Sequence, residues 1–402
     1  MNKWKFCSLE ELGEITSSKR IFQKEYVNKG IPFYRTKEIK ELANKKLVSS
    51  ELFISMERYE EIRKTFGVPK IGDILITAIG TVGEIYIVED NHKFYFKDGN
   101  ILWFKSFNKV NPFFLKYLLF FLINDLKNLS SGSAYKALPI AKLKRFQIPL
   151  PPIDEQRRIA AILDQADVIR RKRQQAIALT DELLRSTFLE MFGDPVINPK
   201  GWEVKKLEEV ALKRKGAIKC GPFGSQLLIS EFVKDGIPVY GIDNVQKNEF
   251  VWAKPKYITT EKYEQLKSFS IQDEDVLISR TGTVGRTCVA PPDIPRSILG
   301  PNLLKVSLNT NKMLPKYLSY ALNHSNPLIE EIKRMSPGAT VAVFNTTNLK
   351  ALRLTIPHIN LQSQFVNFTE NVELTKQKES NYLTESNNLF NSLLQRAFKG
   401  QL

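Results

Sequence analysis

The side chains that carry chemistry in most enzymes are sparse in this 402-residue chain and do not gather. Its three histidines, His92, His324 and His358, are scattered, with no His-x3-His and no other metal-ligand spacing. Cys7, Cys220 and Cys288 are odd in number and form no Cys-x-x-Cys pair, so each reads as a lone buried thiol rather than part of a zinc site or disulfide framework. Asn111-Pro-Phe-Phe114 has the outline of an Asn-Pro-Pro-Phe loop, in which prolines help present a carbonyl and an amide oxygen to an exocyclic amine during methyl transfer. Here the second proline is missing and no glycine-rich strand-to-helix loop precedes the run, so helix capping by Asn111 is the expected role. Gly-Thr-Val-Gly at 80–83 and 282–285 is no phosphate loop, because no Gly-Lys-Ser/Thr follows. A Gly-x-Ser-x-Gly elbow is also missing. These absences favour binding over catalysis, with no cofactor and no metal expected.

The charged and amide side chains suit a polyanion. The formal net charge is +16, and lysines and arginines that neutralise phosphates release condensed counterions. Base edges are read by arginine or lysine on guanine and by asparagine or glutamine on adenine, from exposed loops. The first half of the chain offers Lys19, Arg20, Arg35, Lys37, Tyr135 and Lys136. The second half offers Lys215, Lys219, Ser225, Gln226, Asn244, Arg280, Thr281 and Arg286. Arg170-Arg-Lys-Arg173 reads as a solvated helix face, with phosphate contact as the second reading. No apolar run of about 18 residues exists and the first residues lack a secretory leader, so no membrane span and a cytoplasmic location are expected.

These candidates sit on elements that occur twice. GIPFY at 30–34 returns as GIPVY at 236–240, and the segment at 71–88 returns at 272–290. FLKYLLFFL at 114–122 matches LPKYLSYAL at 314–322, and LKRFQIPLPPIDEQ at 143–156 matches LKALRLTIPHINLQ at 349–362. The offset drifts from 198 residues (Trp4, Trp202) to 206 (Leu143, Leu349), then holds at 206 to the end. Loops tolerate insertion and a packed helix does not. Each half is therefore expected to be a mixed α/β globular part with variable loops, followed by a helix of fixed length. Asp73 and Asp275 lead into buried strands that turn at the Gly-Thr-Val-Gly segments, forming hairpins. The Lys-Tyr-Leu run is a helix packed on the sheet.

Each repeat closes with a short strand (146–150; 352–356), a proline, and Asp154 or Asn360 as a helix N-cap. From Glu155 to about Met191 neither glycine nor proline interrupts the chain, which implies a rod on the order of 50 Å. Ile159, Ile162 and Ile169 on the first helix, and Phe365, Phe368 and Leu389 on the second, mark coiled-coil-like seams that need a partner. The nearest partner is the other helix, and a duplicated chain tends to pseudo-two-fold symmetry, which sets the pair antiparallel. The alternative is that each helix packs on its own globular part.

The GD-ILI-x-GTVG segment, LPIAKLKRFQIPLPPIDEQRRIAAIL, CGPFGSQL at 220–227 and the MFGDP boundary resemble the specificity subunits of type I restriction–modification enzymes over nearly the whole chain. The resemblance implies an α+β chain with two target recognition domains (1–152 and 195–357) and two long spacer helices (153–194 and 358–402) in an antiparallel coiled coil. It implies a non-catalytic reader of bipartite, asymmetric double-stranded DNA, partnered by two modification (methyltransferase) subunits and joined by restriction (motor-nuclease) subunits. His358, Asn360 and Leu361 replace Pro152, Asp154 and Glu155 in the second copy, which weakens the expectation of symmetric partner docking. Three readings remain beside it: a self-sufficient DNA methyltransferase, a non-specific architectural or RNA-binding scaffold, and a solitary reader whose partners are missing.

Overall fold

The computed structural model describes residues 4–79, 82–122, 140–336 and 343–402. The chain divides into two compact units, Met1–Gln175 with Ser380–Leu402, and Ala176–Glu379. In the first unit, an antiparallel sheet has the order Glu14–Thr16, Ile101–Lys105, Ile74–Thr77, Ile85–Ile87. The expected hairpin is the last pair, Ile74 facing Ile87. The helix Pro112–Phe121 contributes Phe114, Leu115, Tyr117 and Leu118 to the core beside this sheet. Asn111 caps it, its Oδ1 accepting from the Phe113 and Phe114 amides at 3.0 and 3.1 Å. The oxygen that a methyl-transfer loop would aim at a substrate is thus spent on the backbone.

The second unit repeats the plan. Its antiparallel sheet runs Ile218–Cys220, Leu303–Val306, Val276–Ser279, Thr287–Val289, and its helix is Pro315–His324. The GIPFY and GIPVY segments form strands Ile31–Tyr34 and Ile237–Tyr240, each paired in parallel with a short strand, Tyr95–Phe96 or Ile298–Leu299. A Cβ on Gly30 or Gly236 would fall 2.3 Å from the carbonyl oxygen of Ile54 or Ile258, so both copies need glycine there. The first strand of each repeat, Lys5–Ser8 or Glu203–Lys206, pairs antiparallel with the last, Gln147–Leu150 or Arg353–Ile356. Asp73 and Asp275 anchor equivalent turns. Asp73 accepts from the Lys70 amide and the Trp103 indole at 2.9 and 2.8 Å. Asp275 accepts from the Gln272 amide, the Lys305 ammonium and the Ser307 hydroxyl.

The long helices span Ile153–Phe192 and Ile359–Phe398. Both begin one residue before the expected caps, so Asp154 and Asn360 lie inside the first turn; Asp154 faces Arg157 at 3.2 Å instead of the helix amides. Within the first unit, Arg170 lies over the Phe390 ring at 4.9 Å, Arg173 lies over Tyr382 at 4.7 Å, and Arg158 donates to Leu402 O at 2.9 Å. Rising numbers on one helix thus meet falling numbers on the other. The same holds within the second unit, where Asp181 pairs with Lys376 at 2.6 Å and Phe188 and Phe192 each meet Phe365 at 5.4 Å. The helix segments are antiparallel in each.

The buried stripe differs in part from the expected seam. Ile159, Leu163, Ala166, Leu184, Phe188 and Phe192 are buried on the first helix, and Phe365, Val372, Phe390, Leu394 and Phe398 on the second. Ile162 and Phe368 are half-buried, whereas Ile169 is 50% and Leu389 56% exposed. The reason is that the stripes also serve the globular parts: Phe398 meets Phe114 at 5.6 Å, and Phe192 meets Tyr317 at 4.9 Å. A strict 3,4 alternation assumes one partner, and these helices have two. Two residues of the basic run turn inward as well, Arg170 and Arg171 meeting Asp167 at 2.6 and 3.1 Å, while Lys172 stays exposed.

Buried Gln156 and Gln362 lock each helix start to the globular part. Gln156 accepts from the Asn111 amide at 2.8 Å and donates to Pro151 O at 2.8 Å. Gln362 accepts from the Leu314 amide at 2.9 Å and donates to Pro357 O at 2.8 Å. Leaving such buried partners unsatisfied costs about 1–3 kcal/mol each. Gln156→Leu and Gln362→Leu should each lower stability by about that much in denaturant unfolding, and an unchanged midpoint for both would refute this role.

Candidate nucleic-acid interface

In the second unit, two stretches carrying predicted readers converge with the end of the helix Thr260–Leu266 on a cleft of about 860 Å³. Arg214, Lys215, Lys219, Lys262, Lys267 and Lys305 line it together with Ser225 and Gln226, and no lining residue is acidic. Three of the cations have acids of their own: Lys262 with Glu231, Lys267 with Glu264, and Lys305 with Asp275. Lys219 has none within ion-pair reach among the described residues. Its ammonium donates to Ser268 Oγ at 2.6 Å and stands 3.8 Å from the centre of the Phe269 ring. Burial, with Lys305 and then Lys215 near it, pushes that ammonium below its ordinary pKa. An anion bound there would relieve this like-charge repulsion.

The remaining predicted residues of this unit have internal duties to different degrees. Arg280 donates to Cys220 Sγ at 2.8 Å, and its guanidinium lies 5.9 Å from the centre of the Phe223 ring. Thr281 is half-buried beside it. Gln226 Oε1 accepts from the Phe223 amide at 3.3 Å. Asn244 corrects the sequence reading. It is only 2% exposed, accepts from the Gly241 amide and donates to Val251 O and Ala253 O, so it holds a turn and cannot reach a base. Arg286 is likewise engaged, donating to Gln246 Oε1 and Ile242 O at 3.1 Å each.

In the first unit, Arg20 and Arg35 line a cleft of about 610 Å³ with Phe22, Tyr26, Lys97 and Asn100. Here both arginines are paired. Arg20 meets Asp98 at 2.9 Å, Arg35 meets Glu38 and Glu51 at 2.8 and 2.7 Å, and Lys37 meets Glu51 at 3.2 Å. Hydrogen bonds to Glu38 and Glu51 push the Arg35 guanidinium further up. Lys19 is half-buried, its amide donating to the Tyr95 hydroxyl at 2.7 Å. Tyr135 and Lys136 lie outside the described residues. Lys97 and Asn100, which line this cleft, escaped the sequence reading because neither falls in a repeated motif. Among the described residues no group of His, Cys, Asp and Glu could hold a metal ion, and no helix is long and apolar enough to cross a membrane.

A family model described as the type I restriction modification DNA specificity domain matches residues 1–179 and again 199–385. A Haemophilus influenzae protein provisionally named a type I restriction enzyme specificity subunit is 31% identical over 195 residues, 48% of this chain and 48% of that one. The type I restriction enzyme EcoBI specificity subunit of Escherichia coli is 23% identical over 327 residues, 73% of this chain and 66% of its own. The chain therefore spans about half the length of the first relative and about two thirds of the second. The crystal structure of a type I restriction–modification S subunit from M. genitalium shares the fold, with a TM-score of 0.57, 14% identity, and coverage of 99% of this chain and 97% of that one.

The Lys219 ammonium gives a direct test. Each phosphate contact contributes about 0.9 to the slope of log affinity against log salt. Lys219→Gln should reduce the slope for duplex DNA by about one, and an unchanged slope would remove Lys219 from the interface.

Proposed function

The chain belongs to the type I restriction–modification DNA specificity family, and on that premise we propose that it reads a two-part, asymmetric sequence of double-stranded DNA, one part per globular region. The observation that carries this reading is the duplicated sheet whose neighbouring clefts differ in lining. One cleft holds Arg20, Arg35, Lys97 and Asn100, and the other Arg214, Lys215, Lys219 and Gln226. A repeated scaffold suits a ligand of repeated shape, and unlike linings suit unlike base sequences.

The recognition regions are 1–152 and 195–357, and the helical regions 153–194 and 358–402 set the spacing between half-sites. Two sites on one face of a duplex lie about 34 Å, or one helical turn, apart. The chain itself performs no chemistry. Two modification subunits dock on the helices and transfer the methyl groups, and restriction subunits join that complex in the cytoplasm. Exposed Ile169 and Leu389, with half-buried Ile162 and Phe368, leave apolar surface for the modification subunits. Ile159 and Phe365 are fully buried inside their own units, so they cannot serve as docking residues.

Co-expression with the modification subunits, followed by genome-wide mapping of methylated adenines, tests the proposal. The expected result is a two-part motif in which Arg20→Ala alters only the first part and Gln226→Ala only the second. Methylation at one contiguous motif, or a change in the wrong part, would contradict it.

A further inference from the structure

Two exposed apolar side chains occupy the same place in the two repeats. Phe22 is 56% exposed and Leu228 is 50% exposed, and they lie 206 residues apart, the repeat offset. Each stands at the start of a short 3-10 turn, Gln23–Glu25 or Ile229–Glu231. Each turn is braced alike. The Phe22 amide donates to Glu25 Oε2 at 2.7 Å, and Glu25 pairs with Arg58 at 2.8 Å. The Leu228 amide donates to Glu231 Oε2 at 2.7 Å, and Glu231 pairs with Lys262 at 2.6 Å. Both cations stand on a following helix, Met56–Thr65 or Thr260–Leu266.

A free loop would fold an apolar tip back onto the protein. A tip held in water at a braced turn is organised in advance for a partner, which lowers the ordering cost on binding. The surroundings select the partner. Phe22 shares its cleft with Arg20, Arg35 and Lys97 and with one acid, Asp98, and Leu228 lies two residues from Gln226, which lines the cleft of six cations and no acid. Such a setting favours a polyanion over an apolar protein surface. In the major groove of a duplex the apolar feature of the base edges is the 5-methyl group of thymine. Resting on the reading of DNA proposed above, we propose that Phe22 and Leu228 are paired reading tips, each contacting a thymine methyl group in its own half-site.

The test uses the complex of the chain with its modification subunits. Duplexes enriched by that complex from a randomised pool are remade with each thymine replaced by uracil in turn. One replacement in each half-site should weaken binding roughly fourfold, the worth of one buried methyl group. Phe22→Ala should abolish the effect in the first half-site only, and Leu228→Ala in the second only. Phe22→Leu and Leu228→Met, which keep an apolar tip, should retain it and also carry the test if the alanine variants do not fold. Uracil sensitivity that survives both alanine variants overturns the inference, as does loss of subunit assembly without loss of uracil sensitivity. Failure of the unaltered complex to enrich any sequence overturns the proposed function itself.

Discussion

Two apolar stripes, one at either end of each long helix, must leave water, and each end is covered jointly by the opposite end of the other helix and by a short helix of the adjoining globular part. Phe188 and Phe192 close on Phe365 and Tyr317 in one unit, and Phe390 and Phe398 close on Tyr117 and Phe114 in the other. Aromatic clusters of this size dominate local energetics, because each ring removes a large apolar area from water. Every other feature is arranged around this antiparallel closure. The two helices span equal lengths, Ile153–Phe192 and Ile359–Phe398, and between the copies neither has gained or lost a residue. An inserted residue would rotate the next stripe out of contact, whereas the loops of the globular parts changed length freely.

Polar contacts then fix how each globular part meets its own helix. Gln156 and Gln362 do so at the helix starts. Further along, the Tyr117 hydroxyl donates to Asp164 and the Tyr320 hydroxyl to Glu373, each at 2.8 Å. Burial, together with those carboxylates, drives both phenols well above their ordinary pKa. The glutamine bonds are thus duplicated at equivalent helix positions, the tyrosine–carboxylate bonds recur only in kind, and the clefts beside them diverge. Where Trp103 donates to Asp73 in one copy, Lys305 donates to Asp275 in the other, at the lining of the cleft. Recognition can change without disturbing the frame because the changes fall on cleft linings.

Much of this was legible in the sequence. Repetition revealed the duplicated fold, glycine and proline placed the turns and helix ends, and the missing second proline correctly returned Asn111 to helix capping. What escaped was decided by contacts that residue type and spacing do not reveal, some distant in sequence and some local. Ile169 and Leu389 match a regular heptad but are exposed, because the globular cores pull the buried stripe toward Leu163 and Phe390. Asn244 has the right residue type for reading adenine, yet a turn consumes its amide. Arg286 is equally plausible by type and equally engaged. Phe22 and Leu228 were overlooked because base reading was sought among polar residues. The signal was present in Glu25-Tyr-Val-Asn-Lys-Gly30 and Glu231-Phe-Val-Lys-Asp-Gly236, which extend the GIPFY repeat upstream at an unchanged offset.

If the paired helices are the ruler, lengthening both should lengthen the gap in the recognised sequence and nothing else. Seven residues inserted into each helix, after Gln175 and after Glu379, nearly preserve the packing face and add about 10 Å of rise. At 3.4 Å per base pair this amounts to about three base pairs. Mapping methylated adenines for the lengthened chain in its complex should recover the same two half-sites, with a spacer about three base pairs longer. An unchanged spacer, or altered half-sites at the old spacing, would contradict the account.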